Sequence, residues 1–474
     1  MMLLAGCGSK ADPGFSPANP VNITIWTYYN GEQLEAFNAL VDEFNSTVGK
    51  EQGITVESSS HGSVTDLENN VLASAEGKVG AEAMPNIFSA YADTAYALDE
   101  MGQIADLSDY LSEEDRAAFI EDYLSEGDFS GSGSIKIFPV AKSAELLFLN
   151  ETDWELFAAA TGATYDDLAT IEGLVSVAER YYEWTDAQTP DIPNDGRAFF
   201  GRDAMANYML IGAKQLDCTI FDAQDGSMTL NFDHDAVRTL WDNYYVPFIK
   251  GYFSASGRFR SDDVKTGNII AYVGSSSSAT FFPTQVIADD MDSHDITRKA
   301  LESPKFANGE DYAVQQGAGM VVTKASDAEI QASLVFLKWF TSPEHNITFS
   351  VDSGYLPVTH EGNSIDAIRI SGLALSDEMD EVLSAAVDTV NENHLYTPRA
   401  FSGGTNARAI LEYSMSDKAS ADRAAVKEAM AQGQSFEDAS AQFLSDECFE
   451  AWYQDTLATV YKGNIIKNLI MDCQ

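Results

Sequence analysis

Apolar and polar positions alternate at Val21-Asn22-Ile23-Thr24-Ile25-Trp26, which predicts a strand. From Gln33 to Asn45 the apolar residues Leu34, Phe37, Leu40, Val41 and Phe44 fall on one face of a helix. A second strand is expected at Ile54–Glu57, a polar loop at Ser58–Ser63, a helix over 67–75 and a proline-led third strand over 85–90. Asp93 or Thr94 is the expected cap of the helix that follows. The order β-α-β-α-β-α predicts an α/β fold with a parallel, doubly wound sheet. In such sheets ligands sit outside the C-terminal strand ends. Here those loops are 26–31, 58–63 and 91–93, and they place Tyr28, Tyr29, Ser59, His61, Tyr91 and Asp93 at a candidate site. Rings that stack on C–H faces, beside hydroxyls and amides, suit a polyhydroxylated small molecule.

Strand-like runs recur at 135–140, 145–150, 269–274 and 315–323. A largely helical stretch is expected over 153–250, a helix over 327–341, and a nearly all-helical region from 366 to 474. The 474 residues favour two or three lobes. Composition adds one exclusion. With 28 Lys+Arg against 74 Asp+Glu the net charge is −46, a field that repels phosphate backbones, so no nucleic-acid partner is expected. No apolar run is long enough to cross a bilayer as a helix.

The search for reaction chemistry comes back empty. No GxSxG, HExxH, P-loop or complete GxGxxG occurs, and Cys7, Cys218, Cys448 and Cys473 form no zinc-type cluster. No catalytic residue, metal or cofactor is expected. Cys218 reads as a buried free thiol, and a Cys448–Cys473 pairing is left open.

Leu4-Ala5-Gly6-Cys7 resembles the bacterial lipoprotein cleavage box, which implies lipidation of Cys7. Only six residues precede it, so the expected signal peptide is truncated and export is inferred from a fragment. Residues 1–20 then read as the signal remnant and a flexible Gly/Pro/Ser tether with nothing to pack.

The motifs ITIWTYYNG (23–31), FPVAKSAELLFLN (138–150), the Gly-Ser run after Val273, QQGAGMVVT (315–323), FLKWFTSPEHN (336–346) and SGYLPVT (353–359) occur in that order. Together they resemble the carbohydrate-type extracellular solute-binding proteins of ABC importers, which include maltodextrin, multiple-sugar and glycerol-3-phosphate receptors. The resemblance implies a two-lobed periplasmic-binding-protein-like fold of type II. Each lobe is a doubly wound sheet flanked by helices, with three hinge crossings and a helical C-terminal extension. It implies one lobe of 22–141 plus 275–357 and a second of 145–272 plus 360–474. Carried over residue by residue, it adds Ser143, Phe200, Arg202, Ser276, Ser277, Tyr355, Ser402, Gly403 and Arg408 to the ligand-binding candidates.

The function so implied is a receptor that captures a sugar or oligosaccharide between the lobes and delivers it to the permease subunits of the transporter. It would be a monomer, lipid-anchored on the extracellular face of the cytoplasmic membrane. A glycerol-3-phosphate or other phosphorylated-polyol receptor is the alternative, with Arg202, Arg258, Arg260, Arg399 and Arg408 as phosphate ligands. An extracellular carbohydrate-active enzyme is the third reading, and it requires a carboxylate pair across the scissile bond.

Overall fold

The computed structural model describes residues 14–224, 227–288 and 293–471. Two four-stranded sheets, each covered by helices, form its two lobes. In the first sheet Val21–Thr27 lies between Ile54–Ser60 and Ile87–Ala90, all three parallel. Gly319–Val322 adds at the edge, antiparallel to Ile87–Ala90. The helix Gly31–Ser46 buries Phe37, Leu40, Val41 and Phe44 as its spacing predicts, and Leu34 sits at the margin of that stripe. The second sheet runs Arg298–Glu302, Glu145–Asn150, Ala271–Ser275, Phe200–Arg202. Glu145–Asn150 is antiparallel to both neighbours, and Phe200–Arg202 is parallel to Ala271–Ser275.

Both sheets are therefore mixed, where a parallel sheet was expected. The cause is connectivity: each reversed strand enters its sheet from the opposite end after a long excursion, not through a crossover helix. Arg298–Glu302, assigned above to the first lobe, pairs with Glu145–Asn150 in the second sheet. Residues 135–140 form no strand ladder and are tied to the first sheet by the single bridge Phe138–Met320. The C-terminal region is helical apart from His394–Tyr396, which pairs with Tyr312–Val314.

Residues 14–20 correct the tether. Phe15 is buried in the first core, and Ser16 and Asn19 exchange backbone hydrogen bonds of 3.0 and 2.9 Å. Ser16 also lies so close to Gly53 that a Cβ there would fall 2.1 Å from its carbonyl oxygen, and Gly53 has φ +78°. Only glycine fits that contact and that backbone. Cys7, Cys473 and the 1–13 part of the tether lie outside the described residues.

Candidate functional site

The strands Val21–Thr27 and Ile87–Ala90 are parallel, so the residues that follow them emerge at one end of the first sheet. Those residues are Tyr28, Tyr29 and Tyr91. Tyr355 joins them from the loop after the helix Pro343–Ser353. The Tyr28 and Tyr355 hydroxyls meet at 3.3 Å, and the Tyr29 ring lies 5.3 Å from Tyr28 and 6.1 Å from Tyr355. Burial pushes the hydroxyls of Tyr28, Tyr29, Tyr91 and Tyr355 above the ordinary tyrosine range, with neighbouring phenols adding to the rise at Tyr28, Tyr29 and Tyr91 and the Tyr28 hydroxyl opposing it at Tyr355. They are neutral, so each both donates and accepts a hydrogen bond.

Beneath this cluster four chain segments run side by side. Lys142 and Leu356 exchange backbone hydrogen bonds, the Ser143 amide donates to Gln316 at 3.0 Å, and the Ser276 amide donates to Ala144 at 2.8 Å. Lys142 is fully buried, ion-paired with Glu126 and donating to the Gly317 carbonyl at 2.8 Å. The Ser143 hydroxyl is buried with no partner, as are Thr27 Oγ1, Gln315 Nε2 and Gln316 Oε1. Buried polar groups are normally satisfied, so a set of open ones on adjacent segments sets this region apart from the rest of the core.

The opposite wall comes from the second lobe. Arg202, at the end of its strand, ion-pairs with Glu145, and Glu145 accepts from Asn207 at 2.8 Å. Arg408 in turn donates to Asn207. Glu412 holds the start of the helix Met205–Gln215 by accepting from the Met205 and Ala206 amides at 3.2 and 2.7 Å. These two bonds satisfy donors that a helix start otherwise leaves open.

The walls meet at Asp93. A Cβ on Gly404 would fall 2.2 Å from Asp93 Oδ1, so the start of the helix Gly404–Ala431 rests against that carboxyl. Burial raises the Asp93 pKa from its ordinary 3.8 to about 6, with Arg408 opposing and Glu68 and Glu126 adding. A carboxyl with a raised folded-state pKa binds its proton more tightly folded than unfolded. Its contribution is thus fully present in acid and is lost as pH rises from about 4 through about 6. Asp93→Asn is expected to flatten this part of the stability profile in thermal melts between those limits. An unchanged slope would remove Asp93 as its source.

Not every expected residue joins the seam. Phe200 is buried in the second core with its ring 4.9 Å from Phe253. His61 packs on Trp26 at 4.3 Å between ring centres and pairs with Asn70 at 2.9 Å. Ser59 is exposed on Ile54–Ser60, which runs further than expected. Ser276 is buried with its hydroxyl committed to the Gly354 carbonyl at 2.9 Å, whereas Ser277 meets the Tyr355 phenol. Ser402 and Gly403 form the turn into the helix Gly404–Ala431, Gly403 at φ +86°. Tyr91, not Asp93 or Thr94, occupies the cap position of Ala92–Glu100. Arg260 is buried against Asp263 at 2.5 Å, and Arg258 stacks on Phe259, so neither belongs to a phosphate clamp. Cys218 is a buried free thiol.

Residues missed from the sequence are Glu145, Asn207, Lys142, Glu126, Gln33 and Gly404. Gln33 carried a signal: it sits inside an apolar stripe, and its side chain reaches the Ser277 and Ser353 carbonyls at 3.4 and 3.5 Å. A cavity of about 470 Å³ opens behind Glu145 and Arg202, against Tyr208, Lys305 and Tyr312. Of the expected site residues only Arg202 lines it. Among the described residues no group of three or more His, Cys, Asp or Glu is placed to hold a metal.

Comparison with known proteins agrees with this architecture. The cyclic α-maltosyl-1,6-maltose binding protein of Arthrobacter globiformis superposes with a TM-score of 0.66 at 18% identity, covering 93% of this chain and 99% of its own. UgpB of Mycobacterium tuberculosis, solved with glycerophosphocholine, gives 0.64 at 16%, covering 94% and 99%. The ABC substrate-binding protein Lmo0181 of Listeria monocytogenes, solved with cycloalternan, gives 0.64 at 15%, covering 94% and 98%. At such identities the likeness establishes the fold. No curated protein matches the sequence. A family profile described as bacterial extracellular solute-binding protein matches residues 39–368. With a match over most of its length, the chain belongs to the bacterial extracellular solute-binding proteins.

Proposed function

We propose that this receptor captures a neutral sugar or oligosaccharide in the seam between its lobes and hands it unchanged to the permease of an ABC importer. The observation that carries the reading is the tyrosine cluster set over open buried polar groups. Tyr28, Tyr91 and Tyr355 offer ring faces and neutral hydroxyls, and Ser143 offers an unpartnered hydroxyl beneath them. That combination fits a molecule with C–H faces and many hydroxyls. The neighbours solved with cycloalternan and with maltotriose lend support.

The phosphorylated-polyol reading has less to rest on. Arg202 is committed to Glu145 and Arg260 to Asp263, and Arg408, at the seam, already donates to Asn207. Of the carboxylates described near Asp93, Glu126 is held by Lys142 and Glu68 accepts from Thr94 at 2.9 Å, which disfavours a free catalytic pair there. The lobe boundaries given above, with Arg298–Glu302 moved to the second lobe, a monomeric state, and a lipid on Cys7 that keeps the receptor on the outer membrane face belong to the same proposal.

A thermal-shift screen of mono- and oligosaccharides against glycerol phosphates tests it, because a ligand of the native state raises the melting temperature as its concentration exceeds Kd. A sugar that stabilises, binds one per chain and is recovered intact is the expected result. Stabilisation by phosphorylated polyols alone, or turnover of the sugar, would reject it. With that sugar, Tyr355→Phe is expected to weaken binding by about 0.5–1.5 kcal/mol through loss of one hydroxyl. The ring keeps its stack on Phe349, so the melting temperature without ligand holds.

A further inference from the structure

A second groove, of about 550 Å³, lies at the other end of the second sheet. Ala198 and Asn268 on its wall precede the parallel strands Phe200–Arg202 and Ala271–Ser275. Those strands run away from the groove, and their far ends, Arg202 and Ser275, adjoin the interlobe seam. The groove is therefore separate from the seam.

Arg423 and Lys427 line this groove, four residues apart on the helix Gly404–Ala431. That spacing puts both on one face. Arg423 is 8% exposed. Its Nη1 donates to the Ile249 carbonyl at 2.8 Å, and its Nη2 is packed against Gly251, where a Cβ would fall 2.3 Å away. Its Nε is buried without a partner. Among the described residues no carboxylate pairs with Arg423 or Lys427. The chain carries 74 acidic residues against 28 basic, so cations left unpaired here are unexpected. An uncompensated buried charge is costly, which makes a bound counter-ion the natural completion of the site. The charge state agrees with the geometry. Burial lowers the Arg423 pKa. Ser254, Ser256 and Ser420 add hydroxyls to the same walls, and the one acid there, Asp195, accepts from Thr189 at 2.6 Å.

We infer that this groove is a second binding site, for a phosphate-type oxyanion held by the Arg423 guanidinium, the Lys427 ammonium and the serine hydroxyls. A tetrahedral oxyanion takes all three kinds of donor at once. Its source is either free phosphate or the phosphate of a lipid headgroup, and both present the same oxygens.

Thermal melts of the whole protein in rising phosphate, with ionic strength held constant by chloride, test the site. The melting temperature is expected to rise and saturate, and Lys427→Glu is expected to weaken that response about tenfold or more. Lys427 is exposed, so this variant keeps the fold. Its affinity for a seam-bound sugar is expected to match wild type, which separates this site from the one proposed above. A parallel arm sediments the protein with vesicles of phosphatidylglycerol or of phosphatidylcholine. Binding to the former that Lys427→Glu abolishes, without a response to free phosphate, assigns the lipid source. A phosphate response that survives Lys427→Glu is general salt stabilisation and overturns the site. So does the absence of any response in both arms.

Discussion

Glu145→Leu is expected to destabilise the unliganded protein by about 3–5 kcal/mol, because it leaves a buried guanidinium uncompensated. Glu145 is 5% exposed, takes the Arg202 ion pair with one oxygen and the Asn207 amide with the other. Arg202 is itself buried and already has an unpartnered Nε. Its stacking over the Tyr208 ring, 5.5 Å away, recovers little of the loss. The same substitution loosens Asn207, and through it Arg408, so affinity for the solute falls as well. A double variant, Glu145→Leu with Arg202→Met, is expected to regain most of the stability, since apolar replacement of a buried pair is often neutral. Urea unfolding of the three proteins decides the matter. A single-variant loss below about 1 kcal/mol, the range of surface pairs, would show that the pair is screened by water.

Gly404→Ala is expected to separate two properties that most variants change together. Gly404 is the first residue of its helix and has no positive φ, so alanine there stabilises by about 0.4–1 kcal/mol through a less flexible unfolded chain. Stability without ligand is thus expected to hold or rise. The added Cβ, however, would enter the space of the Asp93 carboxyl, 2.2 Å from Oδ1, where the two lobes touch. The lobes cannot then close fully, and a solute that gains its affinity from contacts to both loses part of it. A drop of about tenfold or more in solute affinity is expected, of order 1.4 kcal/mol. Unchanged affinity would mean that the seam need not close at Asp93 for binding.

The first lobe was the more legible in the sequence, for a physical reason. Its strand and helix, 21–46, are contiguous and strongly periodic, and the tyrosines of 28–29 follow directly from where the strand stops. Strand direction in the second sheet was not legible, because it depends on long returns that no local period records. Phe200 was misplaced because its packing in the second core depends on Phe253, a partner distant in sequence. Glu145, Asn207 and Lys142 were missed because each acts through a partner distant in sequence, as with Asn207 and Glu145, 62 positions apart. An acidic residue opening an apolar run, Glu145-Leu146-Leu147-Phe148-Leu149, was the available hint. Tyr355 combines two roles. It meets the Tyr28 hydroxyl at the seam and also stacks on Phe349 within the core. Tyr355→Ala is therefore a poor probe of binding, and removal of the hydroxyl alone is the informative change.

The central claim is that solute lies between the lobes against the tyrosine cluster, and calorimetric titration of the sugar found by the screen tests it most directly. Wild type, Tyr91→Ala and Tyr312→Ala form the set, since Tyr91 belongs to the seam and Tyr312 lines the separate cavity behind Glu145. One solute per chain is expected, with affinity weakened by about 1–3 kcal/mol in Tyr91→Ala and kept in Tyr312→Ala. Affinity kept in Tyr91→Ala and lost in Tyr312→Ala would place the solute in the cavity of the second lobe and contradict the account.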